Sequence, residues 1–206
     1  MILIYGTTNN AKLRFMKRRI EPLGIEILSL DDIGAPKLDI DESGNDPLEN
    51  AKIKALAYYK ALNAPVFSCD SGLYFDGIEN ARQPGVHVRC VNGKRLDDDG
   101  MIAHYSGLAA EFGGRITARY KNAICLVMNG SEIYEHMGED IASEPFYIVS
   151  APHEKRREGF PLDSLSVHIQ SGQYYYERGN NEGKYSDSDD GFAAFFKRVL
   201  METRAE

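Results

Sequence analysis

Apolar runs alternate with amphipathic segments along the first part of the chain. Residues 2–5 form an apolar run followed by a glycine and a polar loop, the pattern of a buried strand. Apolar residues then recur at spacings of three and four, at Leu13, Met16, Ile20 and Leu23. This periodicity predicts a helix that ends near Gly24. Residues 25–30 predict a second strand, so the order strand, helix, strand predicts a crossover unit in an α/β sheet.

A second helix is predicted from its start signal. Asp46 is placed to be the N-cap, Pro47 suits the first helical position, and Glu49 would complete a capping box. We expect this helix to end at about residue 62. Residues 65–69 then predict a buried strand that delivers Asp70 at its carboxyl end, where open α/β sheets place their ligands.

The second half of the chain predicts a hairpin among further helices and strands. Apolar-rich segments flank Asn129-Gly130, a strong signal for a two-residue hairpin turn. The predicted elements are a helix at 96–112, strands at 115–128, 131–137, 146–149 and 165–169, and a closing helix at 192–201.

Composition narrows the class of protein. A chain of 206 residues suits one domain with a sizeable core, or two lobes that share one sheet. The net charge of −7 argues against polymeric nucleic acid, which binds basic surfaces. Three cysteines without paired metal spacing favour a reducing compartment. The N-terminal apolar run is too short for a signal peptide or a membrane span. We therefore expect a cytoplasmic protein without membrane contact.

Two carboxylates and a lysine are the strongest candidates for chemistry. Glu42 lies in an acidic loop, and Asp70 directly follows a predicted strand. Two anionic oxygen donors can hold Mg²⁺, which usually also takes oxygens from substrate phosphates. Lys54 would supply a positive charge for a phosphate. Each residue also has an ordinary explanation: an acidic surface loop, a turn cap, and a solvated lysine on a helix edge.

The polar loop Thr7-Thr8-Asn9-Asn10-Ala11-Lys12 is a candidate phosphate-binding segment. A loop between a strand and a helix points backbone N–H groups at a ligand, and the helix dipole adds positive potential. Lys12 opposes that dipole, which makes sense if an anion binds between them. A solvent-exposed loop with an incidental lysine is the alternative, because the segment lacks a glycine-rich fingerprint.

Taken together, these segments resemble the inosine triphosphate pyrophosphatase family. Residues 7–12 look like the Thr-Gly-Asn-x-x-Lys loop of that family, and Ala118-Arg119-Tyr120 resembles its Ala-Arg-Phe strand. The other matching segments are Glu42-Ser43-Gly44, Glu49-Asn50-Ala51-Lys52-Ile53-Lys54-Ala55, Asp70-Ser71-Gly72-Leu73 and Pro84-Gly85. The resemblance is close over the first half of the chain and looser beyond it.

The resemblance implies an elongated mixed sheet flanked by helices, in a single domain over 1–206 whose two lobes border a substrate cleft, and a homodimer. It implies Mg²⁺-dependent hydrolysis of a nucleoside triphosphate to monophosphate and pyrophosphate, with Mn²⁺ as a substitute ion. On this basis Glu42 and Asp70 bind the metal, and Asp70 also orients or deprotonates the attacking water. The triphosphate contacts that the resemblance implies are Thr7, Asn9, Lys12, Lys54 and Ser71.

The C-terminal third departs from the family. The family's Gly-Phe-Gly-Tyr-Asp-Pro corresponds to residues 159–164, which retain Phe160 as the base-stacking ring and Asp163. The family's lysine and Ser-His-Arg-Gly correspond to Lys184 and Ser188-Asp189-Asp190-Gly191. The predicted base contacts are therefore Phe160, Asp163, Lys184, Ser188, Asp189 and Asp190.

The exchange of His-Arg for Asp189-Asp190 bears on the base. The family's pair suits a 6-keto oxygen, whereas ionised aspartates only accept hydrogen bonds. A carboxylate facing a keto oxygen would leave both unsatisfied, at a cost on the order of a few kcal/mol. We therefore expect an altered or relaxed preference, toward an amino-bearing or modified purine. The alternative is that Asp189 and Asp190 only cap the last helix.

Two further departures lie nearer the predicted metal. Cys69 stands where the family usually has an aspartate, and Phe15 stands where its first helix usually has a glutamate. The lost carboxylate at position 69 is expected to weaken a second metal position. The rival hypothesis is therefore a non-catalytic nucleotide-binding or sensing protein that still binds the triphosphate and has lost turnover.

Overall fold

The computed structural model describes residues 1–157, 159–178 and 191–203. The chain divides into two compact units. The first unit contains residues 1–71, residues 122–141 and the C-terminal helix, and the second contains residues 72–121 and the segment that begins at Ala142.

The described residues form a mixed α/β structure. Its strands are β1 (Ile2–Tyr5), β2 (Glu26–Ser29), β3 (Val66–Phe75), β4 (Cys90–Val91), β5 (Lys94–Arg95), β6 (Arg115–Val127), β7 (Ile133–His136), β8 (Phe146–Val149) and β9 (Ser166–His168). Its helices are α1 (Asn10–Ile20), α2 (Pro47–Leu62), α3 (Asp98–Glu111) and α4 (Gly191–Glu202). The large sheet has the order β2-β1-β3-β6-β8-β9, with β7 beside β6, and β4 pairs with β5. The predicted α/β class is confirmed.

The first unit contains the predicted crossover unit. Strand β1 pairs in parallel with β2 and with β3, and α1 connects β1 to β2. Met16 and Ile20 on α1 are buried in the same core as Tyr5 and Phe67, whose rings stack with centroids 4.4 Å apart. Gly24 ends the turn after α1 with φ 76°, a conformation that glycine adopts at little cost. Periodicity therefore predicted this part of the fold correctly.

The start of α2 follows the prediction with one change. The Asp46 carboxylate accepts hydrogen bonds from the backbone N–H groups of Leu48 and Glu49, at 2.8 and 2.9 Å. The Glu49 carboxylate accepts from the N–H of Asn45 at 2.7 Å. In a capping box it would reach the N-cap residue itself. The cap is thus confirmed, whereas the reciprocal bond lies one residue earlier than predicted.

Strand β3 is longer than predicted. It continues past Asp70 to Phe75, because Leu73 and Phe75 extend the buried apolar pattern beyond the Ser71-Gly72 pair. The prediction that Asp70 ends this strand was therefore wrong. The parallel pairing with β1 does end early, at Tyr5 and Phe67, so Asp70 lies beyond the carboxyl end of β1.

The hairpin between β6 and β7 also differs from the prediction. The last regular pair is Val127 with Ile133, so the connection is longer than two residues. The Asn129 side chain accepts hydrogen bonds from the N–H groups of Ser131 and Glu132, both at 2.9 Å. This Asx turn replaces the predicted two-residue turn, since an asparagine side chain can take the place of a backbone carbonyl in a turn.

The second unit has its own core. The first residues of β6 pair with β8, and β8 pairs with β9, all antiparallel. Helix α3 begins after the N-cap Asp97, whose carboxylate accepts from Gly100 N–H, and it buries Met101, Tyr105 and Leu108. Across residues 1–157, 159–178 and 191–203, the helices are all too short or too polar to cross a membrane.

Candidate active site

The predicted lysine and carboxylates meet in the first unit. Lys54 Nζ lies 2.9 Å from Glu42 Oε2 and 3.7 Å from Asp70 Oδ1. The Lys54 and Asp70 side chains are 14% and 11% exposed. Because both are largely shielded from water, their attraction is screened less than that of a surface pair. The structure therefore brings together three residues that the sequence places on α2, on β3 and in a loop.

The loop that carries Glu42, residues 38–44, is held by one face of α2. Three side chains spaced four residues apart form this face: Asn50, Lys54 and Tyr58. The Asn50 amide oxygen accepts from Gly44 N–H at 2.8 Å, and Leu38 packs against the buried cluster that contains Tyr58. With the ion pair to Glu42 between them, these contacts hold the loop at its two ends and near its middle.

Asn50 also reaches the strand opposite. Its Nδ2 donates to Asp70 Oδ2 at 3.2 Å, and the residue is 2% exposed. Asn50 was not among the residues predicted for the site. Its four-residue spacing from Lys54 and its place in the matching segment 49–55 were the available signals, and neither tells which partner a buried amide finds.

The loop between β1 and α1 is ordered by its own side chains. Asn9 is the N-cap of α1, and its Oδ1 accepts from the N–H groups of Ala11 and Lys12, at 2.9 and 3.2 Å. Thr7 Oγ1 accepts from Asn9 N–H at 3.2 Å. The Asn9 oxygen therefore serves the helix start, and only its Nδ2 group has the chemistry to donate to a phosphate.

Lys12 is electrostatically coupled to the cluster. Burial lowers the pKa of the Lys12 ammonium, an effect that the Asp70 carboxylate opposes and the Lys54 ammonium reinforces. The Glu42 carboxylate also opposes the lowering, so Lys12 interacts with all three residues of the cluster.

A polar pocket of about 250 Å³ opens within the first unit. Its lining includes Thr7 and Thr8 from the β1–α1 loop, Asp39 and Glu42 from the 38–44 loop, and Lys54. Typical ligand pockets measure about 300–1,000 Å³, so this one matches part of a nucleotide better than the whole. Its mixed charges suit phosphate oxygens and a bound cation.

The two departures near the predicted metal position, Cys69 and Phe15, have different physical roles. Burial raises the pKa of the Cys69 thiol to about 12, although a hydrogen bond with the Tyr5 hydroxyl opposes this shift. Cys69 is thus a neutral thiol beside Asp70. Phe15 packs edge-on against Phe192 with centroids 6.0 Å apart, and the Arg19 guanidinium covers its ring at 3.8 Å. Phe15 therefore contributes packing between α1 and α4.

The donor set suits only certain cations. Within the described part of the chain, His, Cys, Asp and Glu side chains form no group of three that could hold a metal ion. Glu42 and Asp70 supply two carboxylates, which fit a Mg²⁺ ion that takes its other ligands from water and substrate phosphates. They do not fit a metal enclosed entirely by protein.

The remaining predicted residues are placed as follows. Ser71 follows Asp70 on β3 and is half-buried. Phe160 and Asp163 belong to the second unit, where the Arg157 guanidinium lies 4.8 Å from the Phe160 ring centroid and 3.4 Å from Asp163 Oδ2. Four predicted base contacts lie outside the described residues: Lys184, Ser188, Asp189 and Asp190.

These features define an α/β protein with a polar pocket lined by Glu42 and Lys54, in which Lys54 also lies 3.7 Å from Asp70. The Ham1 family model matches residues 3–165, and the chain belongs to the Ham1 family. A dITP/XTP pyrophosphatase of Exiguobacterium sp. is 30% identical over 189 residues, covering 84% of this chain and 92% of that protein. One from Bacillus subtilis is 33% identical over 149 residues, covering 69% and 72%. The resemblance identified in the sequence is confirmed.

Coverage varies among these relatives. A dITP/XTP pyrophosphatase of Rhodopseudomonas palustris is 34% identical over 137 residues, and the chain spans 63% of its length. Two solved structures support the fold over nearly the whole chain. The Staphylococcus aureus Ham1 protein has a TM-score of 0.70 and 20% identity, covering 99% of this chain and all of that one. A Coxiella burnetii HAM1 protein has a TM-score of 0.71 and 24% identity, covering 98% and 99%.

Proposed function

We propose that this protein hydrolyses a nucleoside triphosphate to the monophosphate and pyrophosphate in a Mg²⁺-dependent reaction. The observation that carries the proposal is the position of Lys54, 2.9 Å from Glu42 and 3.7 Å from Asp70, in the unit that holds the polar pocket. The names of the related dITP/XTP pyrophosphatases support the same reaction.

Each charged residue has a defined part in this proposal. Glu42 and Asp70 hold the cation, which neutralises phosphate charge when it is bound. Lys54 releases Glu42 as the phosphates arrive and donates to a phosphate oxygen instead. Lys12 adds a second positive charge. Further contacts to the triphosphate come from Thr7, Asn9 and Ser71.

Asp70 acts on the attacking water. Its carboxylate orients the water and accepts a proton while the water oxygen bonds to the attacked phosphorus and the α–β bridging bond breaks. The leaving group takes the bridging oxygen with its electron pair, and it is pyrophosphate for attack at the α-phosphorus or the nucleoside monophosphate for attack at the β-phosphorus. Lys54 and Lys12 stabilise the negative charge that moves onto these oxygens.

The products test the reaction type. Phosphorus NMR of dITP or XTP incubated with the protein and Mg²⁺ should show monophosphate and pyrophosphate in equal amounts. Mn²⁺ should replace Mg²⁺, and EDTA should stop the reaction. Diphosphate and orthophosphate as products would contradict cleavage at the α–β linkage.

We propose further that base preference differs from strict recognition of a 6-keto purine. Support comes from Asp189-Asp190 in place of the family's donor pair. Phe160 and Asp163 are proposed to contact the base, and Lys184 and Ser188 to assist. Pyrophosphate release should be compared for ITP, XTP, dITP and the ordinary triphosphates. Exclusive preference for ITP would reject this part of the proposal.

A nucleotide sensor is the second candidate, and the neutral Cys69 thiol beside Asp70 is the observation that favours it. The two candidates differ in turnover. Measurable triphosphate binding without turnover, in Mg²⁺ and in Mn²⁺, would establish the sensor. The homodimer, the cytoplasmic location and the lack of polymeric nucleic acid as a partner stay predictions.

A further inference from the structure

Asn50 uses both ends of its amide inside the first unit. Its Oδ1 accepts from Gly44 N–H at 2.8 Å, and its Nδ2 donates to Asp70 Oδ2 at 3.2 Å. The side chain is buried, with 2% of the residue exposed. A buried amide with two such partners links the loop that carries one carboxylate to the strand that carries the other.

The partners themselves fix the orientation of this amide. A backbone N–H can only donate, so the group that faces Gly44 must be the Asn50 oxygen. The NH₂ group then faces Asp70, whose ionised carboxylate can only accept. The opposite orientation would place two donors together at Gly44 and two acceptors together at Asp70. The order of the two contacts therefore follows from chemistry.

The contact also distinguishes the two oxygens of Asp70. Oδ2 is held by Asn50, and Oδ1 is the oxygen that lies 3.7 Å from Lys54 Nζ. Oδ2 therefore accepts a hydrogen bond from the uncharged Asn50 amide, and Oδ1 faces the Lys54 ammonium group. A carboxylate held by these two contacts stays in one side-chain conformation, which a metal ligand or a general base requires.

We propose that Asn50 is a positioning residue for triphosphate hydrolysis, holding Asp70 Oδ2 and the Glu42 loop in one arrangement. The proposal rests on the proposed function for its effect on catalysis. It assigns Asn50 no contact with substrate. The competing explanation is that Asn50 only stabilises the loop and the start of α2.

Two substitutions distinguish the effects of the two Asn50 hydrogen bonds. Asn50→Asp keeps an acceptor for Gly44 N–H and loses the donor to Asp70 when the new carboxylate is ionised. Asn50→Leu has a similar size and loses both contacts. Asn122→Asp and Asn122→Leu are the matched controls. Asn122 is 3% exposed and also donates from Nδ2, at 2.6 Å to the Ile141 carbonyl, which is not part of the site.

Amide hydrogen exchange at Gly44 tests the first contact without any assay of activity. Exchange should stay within about threefold of wild type in Asn50→Asp and rise by about tenfold or more in Asn50→Leu, since local opening controls exchange. Both Asn122 variants should leave Gly44 exchange at the wild-type rate. Unchanged exchange in Asn50→Leu would overturn the proposal. If Asn50→Leu does not fold, Asn50→Ala takes its place, because it adds no bulk.

Binding of Mn²⁺ alone, followed by electron paramagnetic resonance, tests the effect on the carboxylates. Asn50→Leu should weaken Mn²⁺ affinity by about 10–100-fold, the usual effect of losing a partner of a metal ligand. Asn122→Leu should leave it unchanged. Equal affinity in the two variants would overturn the proposal. Neither this measurement nor exchange requires turnover, so both decide the role of Asn50 even if the proposed reaction fails.

Kinetics then separate positioning from stability. At about pH 8.5, Asn50→Asp should lower kcat by about 10–100-fold and leave KM within about threefold, because Asp70 acts on the water more than on substrate binding. Asn122→Asp should lose thermal stability to a similar degree and keep its kcat. Equal kcat values in the two variants would contradict the proposal, and so would an Asn50→Asp variant in which only KM changes.

Discussion

Lys54 and Glu42 form an ion pair of 2.9 Å in which the lysine side chain is 14% exposed and the glutamate 44%. The partly exposed glutamate can exchange this partner for water or a cation more easily than the buried lysine can. Ion pairs between solvent-exposed side chains contribute about 0–1 kcal/mol to stability, and the exposed glutamate makes this pair similar to them. The pair is therefore better explained by its position beside the pocket than by a need to stabilise the fold.

Replacing Lys54 should affect catalysis far more than folding. Lys54→Met should lower kcat by about 100-fold or more, since removing one donor that stabilises transition-state charge typically costs about 10²–10³. Lys52→Met is the control on the same helix, because Lys52 pairs with Glu135 at 2.7 Å, away from the site residues. The control should keep kcat within about twofold. Similar losses in both variants, measured by pyrophosphate release, would reject this role for Lys54.

The Glu42 loop should not tolerate a side chain at Gly44. A Cβ there would lie 2.6 Å from Asn50 Oδ1 and 2.7 Å from Glu49 Cβ. Gly44→Ala should therefore displace Asn50 or the loop and lower kcat by about tenfold or more, on the scale of losing a ligand's hydrogen-bond partner.

Gly107→Ala is the matched control for Gly44. Gly107 lies on α3, and a Cβ there meets nothing within 4 Å. Alanine should leave kcat unchanged and raise the free energy of unfolding by about 0.5–1 kcal/mol, because glycine is the poorer helix former. Steady-state kinetics and urea denaturation of the two variants check both expectations. A Gly44→Ala enzyme with wild-type kcat would show that the loop can move freely.

The buried thiols should be unreactive. Burial raises the pKa of Cys69 and of Cys125 to about 12, so their thiolate fraction near pH 8 is about one in 10⁴. Iodoacetamide should therefore label only the exposed Cys90 in the native protein and all three cysteines in urea. Labelling of the buried thiols should speed up as pH rises toward their pKa, because the thiolate is the reactive form.

Turnover should also be measured after the native protein has been alkylated with iodoacetamide. Alkylation of native protein at about pH 8 should leave turnover unchanged, and Cys90→Ser should abolish native labelling. Loss of turnover in step with modification of Cys69 would mean that this thiol is accessible and that the site is more open than its 7% exposure indicates.

Local patterns predicted the regular elements well where one signal dominated. The periodicity of α1 and the cap of α2 at Asp46 agreed with the structure because each depends on neighbouring residues alone. The end of β3 was predicted wrongly, since Ser71-Gly72 has turn chemistry and yet lies within a buried strand. At Asn129 a side-chain contact replaced the turn that the sequence favoured.

The sequence predicted which residues form the site better than it predicted the hydrogen bonds that join them. Glu42, Lys54 and Asp70 were candidates from their residue types and positions, the family resemblance joined them into one site, and the structure places them together. The link through Asn50 was missed, because it depends on where the folded loop presents Gly44 N–H. Nothing in the linear order of α2 distinguishes a buried bridging amide from an ordinary polar position.

The substitution Asp70→Asn separates triphosphate turnover from triphosphate binding. Turnover of dITP or XTP is measured together with the Kd of an analogue whose α–β bridge cannot be hydrolysed. If Asp70 orients and deprotonates the water, kcat should fall by about 10³-fold or more, while Kd stays within about tenfold. A variant that turns over triphosphate within about threefold of wild type would show that Asp70 does not activate the water.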